Sequence, residues 1–131
     1  MTAKAMEEQI KKHIQKWAVL FGISDYTFVI ELHSDKELNG NYAEVDTDDE
    51  TREATISFNQ ARLTREPDEI ERTVIHELLH TRFNEYAELS VSILNEYAPN
   101  LKTKRLIAKQ LEKTEHKIVV ALTDALAKRG K

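Results

Sequence analysis

Residues 66 to 83 have the sequence EPDEIERTVIHELLHTRF, which is the strongest structural signal in the chain. Apolar residues recur in it at the three- and four-residue intervals of one helical face, and acidic residues precede them, where they complement the positive end of a helix dipole. Pro67 suits a first helical position. The pattern predicts a helix from about Pro67 to Phe83, continued or followed by a second helical segment through Tyr97 and closed by Pro99.

Two histidines within this helix, His76 and His80, are four residues apart. Because successive helical residues advance by about 100°, both side chains project from the same side and can share one metal ion. Glu77 lies off that direction but close enough to reach a water in an open coordination position of zinc. The HELLH motif therefore predicts a zinc hydrolase centre with Glu77 as general base. A chance occurrence of HExxH is the alternative, and the helical setting weighs against it.

A catalytic zinc ion takes three protein ligands and a water, so a third ligand must come from elsewhere. Glu85 and Glu88 lie one to two turns beyond His80, too far along the helix axis for a metal between the two histidines. A later element must cross back, and the run LEKTEHKIVVAL, residues 111 to 122, is a suitable one. The candidates there are Glu115, which we favour, and Glu112, His116 or a site completed by water.

The remaining patterns predict an α+β fold. The sequence favours a helix over residues 3–21 ended by Gly22, a strand TFVIELH over 27–33, and an antiparallel return NYAEV after the turn signal Asn39-Gly40. A third strand, ATISF, covers 54–58, and a long helix runs over 101–128 with Gly130 as a stop signal. We expect one domain over residues 1–131, with an N-terminal helix, a small three-stranded mixed sheet, the motif helix and a C-terminal helix carrying the third ligand.

Composition narrows the possible classes of protein. The 131 residues are 40% hydrophobic and 32% charged with only 3 glycines and 2 prolines, which favours a helix-rich globular fold. The absence of cysteine excludes disulfides and cysteine-containing zinc sites, so histidine and carboxylate must hold any metal. No stretch approaches the roughly 20 apolar residues of a membrane span, and the N-terminus lacks an export signal. We therefore expect no membrane partner and a cytoplasmic protein.

Charge is unevenly distributed along a chain whose net charge is −4. Residues 44–53 are strongly acidic and residues 102–117 are rich in lysine and arginine. We expect both to be solvated faces and expect no nucleic-acid binding, a weak contact through the basic helix being the lesser alternative. His13 is expected to be an exposed helix residue and His33 a surface residue, because neither has a ligand at metal-binding spacing.

These motifs together resemble those of small gluzincin-type zinc metallopeptidases, often phage- or prophage-associated and sometimes called minigluzincins. The resemblance rests on ATISFN before the motif, on TVIHELLH, and on EHKIVVALTDAL, residues 115 to 126. In that family the motif histidines and the later glutamate bind zinc, and the motif glutamate is the catalytic base. It implies a Zn²⁺ site held by His76, His80 and Glu115, with Glu77 as the base.

The same resemblance implies a zincin-like fold, in which a small mixed sheet lies beside the motif helix. The strand nearest the metal would pair with an extended peptide or protein substrate, and strand 54–58 would be that strand. No residue is assigned as the electrophile that stabilises the tetrahedral intermediate. Tyr42, Tyr86, Tyr97 and His116 are available for this role.

Three functions fit the sequence to different degrees. A zinc-dependent metallopeptidase is favoured, because a module that only bound zinc would need the histidines but has no evident use for Glu77. The first alternative is a zinc-bound but catalytically silent or latent regulatory protein of the same fold. The second is a nonenzymatic interaction domain that uses the basic last helix, for which HELLH would have little purpose.

Overall fold

The computed structural model describes the backbone of residues 1–129 and the side chains of residues 1–127. It contains helices and a three-stranded mixed sheet, which confirms the predicted α+β class. The helix stop predicted at Gly130 lies outside the described residues. The elements are α1 (Ala3–Leu20), β1 (Thr27–His33), β2 (Ala43–Asp48), β3 (Glu53–Asn59), α2 (Gln60–Arg65), α3 (Glu69–Tyr97) and α4 (Leu101–Arg129).

The strand order is β1-β3-β2. β1 runs parallel to β3 with Thr27 opposite Glu53, and β2 runs antiparallel to β3 with Ala43 opposite Phe58. The predicted antiparallel pairing of the first two strands is therefore wrong. Asn39 and Gly40 do form a turn with positive φ angles of 52° and 78°, but it belongs to a longer loop that carries the chain past β3. That loop leaves the central place to the third strand.

β3 occupies the centre of the sheet because it carries the most buried apolar face. Ala54, Ile56 and Phe58 have no solvent exposure. Burial of each large apolar side chain contributes about 1.5–3 kcal/mol, so covering this strand on both edges and on its inner face is favourable. The prediction that a substrate pairs along strand 54–58 is consequently wrong, since both edges of β3 are already hydrogen-bonded to other strands. The free edge that could accept a peptide belongs to β2 or β1.

α1 holds the first part of α3 against the sheet. Met6 and Ile10 of α1 are fully buried in the same core cluster as Val74 and Leu78 of α3. The indole of Trp17 donates a hydrogen bond of 3.0 Å to Glu71 of α3. The first part of the motif helix is therefore held in place by α1 and the core.

The ends of the motif helix differ slightly from the prediction. α3 begins at Glu69 after Asp68, so Pro67 is not its first residue; instead, the Pro67 carbonyl accepts a hydrogen bond from the Ile70 amide. The short helix α2 has no counterpart among the predicted elements. α3 then continues without interruption to Tyr97, and residues 98–100 reverse the chain into α4. Within residues 1–129, the structure has no helix that could span a membrane.

Candidate metal centre

His76 and His80 lie on adjacent turns of α3 and direct their Nε2 atoms at each other. The two Nε2 atoms are 3.2 Å apart. Two nitrogen ligands of a tetrahedral zinc ion, each about 2.0–2.1 Å from the metal, are about 3.3 Å apart. The predicted pair thus has the spacing that a shared zinc ion requires, and these two side chains fit the metal.

Glu115 reaches the same pair from α4. Its Oε1 atom is 3.4 Å from Nδ1 of His80, the ring nitrogen that does not face His76. The ring of His116, the next residue on α4, has its centroid 6.3 Å from that of His76. The antiparallel packing of α4 on α3 therefore brings both of these candidates to the motif. The exposed Glu112 lines a cavity with His80 but has no hydrogen bond to either motif histidine.

The candidate donor groups lie close together but do not point at a single position. Among residues 1–127, no three histidine or acidic side chains form a preformed metal-binding group. His76 and His80 present Nε2, whereas the carboxylate of Glu115 lies on the Nδ1 side of the His80 ring. In this arrangement Glu115 is placed to orient His80, a role that carboxylates commonly have beside metal-bound histidines. A direct bond from Glu115 to the metal would require its side chain to rotate.

The imidazole of His76 is held in the uncharged form that binds metals. Burial lowers its pKa to about 4, and the nearby His80, His116 and Arg72 act in the same direction. A histidine must be neutral at the coordinating nitrogen, so a low pKa reduces competition between protons and the metal near neutral pH.

Glu77 is buried beside the histidines, with 6% of its surface exposed. Burial raises its pKa to about 7, and the negative charge of Glu44 on β2 adds to the shift. A carboxylate with this proton affinity can both accept and return a proton near neutral pH, as a general base in hydrolysis must. The charge of a bound metal ion would lower this pKa.

Two cavities meet at Glu77. The larger, of about 570 Å³, runs between β2 and α3 and is also lined by His76, His80 and Glu115. The smaller, of about 300 Å³, lies between α3 and α4. Both contain His76 and Glu77, so a molecule in either one would lie against the predicted catalytic residues.

The smaller cavity contains polar residues that the sequence did not single out. Arg72 of α3 forms an ion pair with Asp124 of α4 there. Thr123 is buried beside them, and its hydroxyl has no hydrogen-bond partner within the described residues. Arg72 precedes His76 by one helical turn, so spacing alone could have placed it near the candidate metal centre. The partner Asp124 depends on how α4 packs on α3 and has no local signal.

The four candidates for the electrophile are separated by the fold. The hydroxyl of Tyr42 donates to Glu66 at 2.9 Å, although the residue lines the smaller cavity. Tyr86 and Tyr97 are 61% and 75% exposed on the later part of α3. His116 is the candidate whose ring lies beside a motif histidine.

The other histidines have different surroundings. His13 is not simply an exposed helix residue, as its sequence context predicts, but lies half-buried with Nδ1 3.2 Å from Glu71. His33 bonds to Glu37 and Glu31, and these two hydrogen bonds raise its pKa. Both histidines are thus engaged by nearby carboxylates.

No protein-family model matches this chain, and no curated protein or solved structure matches it significantly. The resemblance to gluzincin-type peptidases therefore stays a prediction.

Proposed function

We propose that this protein is a zinc-dependent metallopeptidase of zincin-like fold, with zinc held by His76, His80 and Glu115. The observation that carries the proposal is the 3.2 Å separation of the two Nε2 atoms, which is the spacing of two nitrogen ligands on one tetrahedral zinc ion. The neutral state of His76 and the carboxylate of Glu115 against His80 support the same assignment.

Glu77 performs the proton transfers in this proposal. Zinc, when bound, supplies a Lewis acid that lowers the pKa of a coordinated water and polarises the scissile carbonyl. Glu77 takes a proton from the attacking water and gives it to the nitrogen of the leaving amine as the carbon–nitrogen bond breaks. Its side chain is buried at the place where both cavities meet.

The substrate backbone is proposed to lie along β2. This strand borders the larger cavity and pairs with β3 on one edge only, so its other edge can hydrogen-bond an extended peptide. Glu44, which raises the pKa of Glu77, belongs to the same strand. A peptide bound there would pass directly in front of the catalytic residues.

A catalytically silent or latent zinc protein of the same fold is the second candidate. One observation favours it: the Glu115 carboxylate lies on the Nδ1 side of His80, away from the point where the two Nε2 atoms meet. A metal centre that becomes complete only after Glu115 moves would be inactive until a partner or substrate was bound.

Substitution Glu77→Gln tests the proposal. It keeps the size of the side chain but removes the base, so we expect about one zinc per chain to remain while peptide hydrolysis falls by roughly 10²- to 10⁴-fold. Glu112→Gln, the same change at an exposed position on α4, should leave both unchanged. Zinc content is measured by elemental mass spectrometry on untagged protein, and hydrolysis with a mixed peptide library. Full hydrolysis by Glu77→Gln would exclude the mechanism, and zinc without hydrolysis in the wild type would favour the silent protein.

A further inference from the structure

Five basic residues form a straight row along one face of α4. They are spaced three, four, four and four residues apart, so they lie one above the other over a length of about 22 Å. All five side chains are exposed. We call this set the cation row: Lys102, Arg105, Lys109, Lys113 and Lys117.

The cation row begins at the candidate metal centre. Lys109, Lys113 and Lys117 line a cavity of about 700 Å³ together with His80 and Glu115. The same His80 and Glu115 also line the larger cavity along β2. A chain bound in front of His80 can thus continue from the β2 cavity onto the basic face of α4.

The charges of the row have no acidic partners within the described part of the chain. Among residues 1–127, no ion pair involves any of the five. Like charges four residues apart on a helix destabilise it by a few tenths of a kcal/mol per pair. Several such pairs in a protein of net charge −4 indicate a surface that is arranged for an anionic ligand.

The side of the larger cavity that β2 forms carries the opposite charge. Glu44 and Asp46 of β2 line the larger cavity. A nucleic acid, charged evenly along its backbone, would be repelled there while it was attracted by α4. A polypeptide can carry its charges on one side only, and its uncharged backbone can pair with the edge of β2.

We propose that the cation row selects polypeptide substrates that carry aspartate or glutamate on one side of the scissile bond. That side is the part of the bound chain that runs from the metal centre along α4. The proposal rests on the peptidase function proposed above and defines its substrate class. Selection would arise from long-range attraction and from rim contacts, so it should weaken as salt rises above about 0.15 M, where the Debye length is about 8 Å.

The test compares peptides that share one cleavable core and carry a run of glutamates, glutamines or lysines on either side of it. With zinc-loaded protein, we expect kcat/KM for the glutamate peptide of one orientation to exceed that for its glutamine counterpart by about tenfold at low salt. The double substitution Lys109→Glu/Lys113→Glu should remove this preference. Lys11→Glu/Lys12→Glu, an equal change of charge on exposed positions of α1, should keep it. Equal kcat/KM for all peptides, or equal loss in both variants, would overturn the proposal.

A binding measurement separates this proposal from the peptidase proposal. Fluorescence anisotropy with the Glu77→Gln protein should show tighter binding of the same glutamate peptide, and this gain should be absent when Lys109→Glu/Lys113→Glu is added. If that binding is found without hydrolysis by the wild type, the result supports the proposed selection of acidic polypeptides and contradicts the proposed peptidase activity. Hydrolysis without charge preference would instead support the proposed peptidase activity and overturn the proposed role of the cation row. Tighter binding of a short single-stranded oligonucleotide through the same lysines would show that the cation row binds nucleic acid, and it would overturn the proposal of an acidic polypeptide.

Discussion

The two halves of α3 differ in what covers them. In the first half, residues 69–83, the apolar side chains pack into the core formed with the sheet and α1. In the second half, residues 84–97, Leu94 is the one buried side chain, while Leu89 is 59% and Ile93 is 50% exposed. Both halves show helical spacing of apolar residues, yet only one of them is buried. Periodicity thus predicts the helix, whereas burial depends on which elements pack against it.

The candidate metal centre lies in the covered half of α3. His76, Glu77 and His80 belong to the buried half, where α1 and the sheet fix the helix. Glu115 approaches from α4 at the point where this packing ends, and residues 82–118 contain no other buried side chain than Leu94. The HELLH motif therefore lies in the well-packed part of the molecule, whereas Glu115, the proposed third ligand, lies in a part with fewer buried contacts.

The largest expected difference between the two halves concerns metal binding. His80→Ala should reduce zinc from about one per chain to a trace, because it leaves only two of the three protein ligands that the proposed zinc site requires. Asn84→Ala, one turn further along the same helix, should retain full zinc content because Asn84 bonds to Asp49 rather than to the centre. Elemental mass spectrometry on dialysed protein measures both. Full zinc content in His80→Ala would show that the motif does not bind the metal.

Next in size is the effect on folding stability. Leu78→Ala in the first half removes a side chain with no exposure and should lower the free energy of unfolding by about 2–5 kcal/mol. The same change at Leu89 in the second half should alter it by about 0.5 kcal/mol or less. Urea unfolding followed by circular dichroism gives both values. Similar losses would mean that Leu89 is covered in solution by a second molecule.

A smaller effect should distinguish the two nearby glutamates of α4. Glu115→Ala should weaken zinc binding by about 10- to 100-fold, whether Glu115 binds the metal or orients His80. Glu112→Ala should change it by less than about twofold, since the exposed Glu112 makes no hydrogen bond to the motif. Competition with a chromophoric chelator measures the affinities. Equal weakening by the two substitutions would remove Glu115 from the site.

The smallest expected effect concerns the contact that holds the first half of α3 to α1. Burial raises the pKa of Glu71, but the hydrogen bond from Trp17 and the charges of His13 and Lys16 outweigh it and lower the pKa overall. Because the folded pKa lies below the unfolded one, ionised Glu71 stabilises the protein above the unfolded pKa of about 4.3, and this contribution is lost as pH falls through the folded pKa.

Unfolding measurements at a series of pH values test this contact. Glu71→Gln should lower stability by about 1 kcal/mol at pH 7 and by less at pH 3. Glu96→Gln, in the uncovered half of α3, should have no such effect at either pH. A loss that stayed constant from pH 7 to pH 3 would show that the charge of Glu71 contributes nothing.

Several features could be predicted from the sequence because they depend on residues close together in the chain. The spacing of four residues alone places His76 and His80 on one side of a helix, and the structure has their Nε2 atoms 3.2 Å apart. The strand over 27–33 and the last long helix have nearly the predicted bounds for the same reason. Alternation and helical periodicity are local properties, so they survive without knowledge of the fold.

Other features are decided only by how distant elements pack. A turn signal at Asn39-Gly40 could not show that β2 would pair with β3 instead of β1, because strand order depends on which strand has the most apolar surface to bury. Because β3 is the central strand, the free sheet edge beside the motif belongs to β2 and not, as predicted, to strand 54–58. The Arg72–Asp124 pair, the Nδ1 contact of Glu115 and the start of the cation row at His80 likewise depend on α4 lying antiparallel to α3. The sequence by itself determined the chemistry carried on one helix; the tertiary structure decided which charges and edges surround it, since those contacts join residues far apart in the chain.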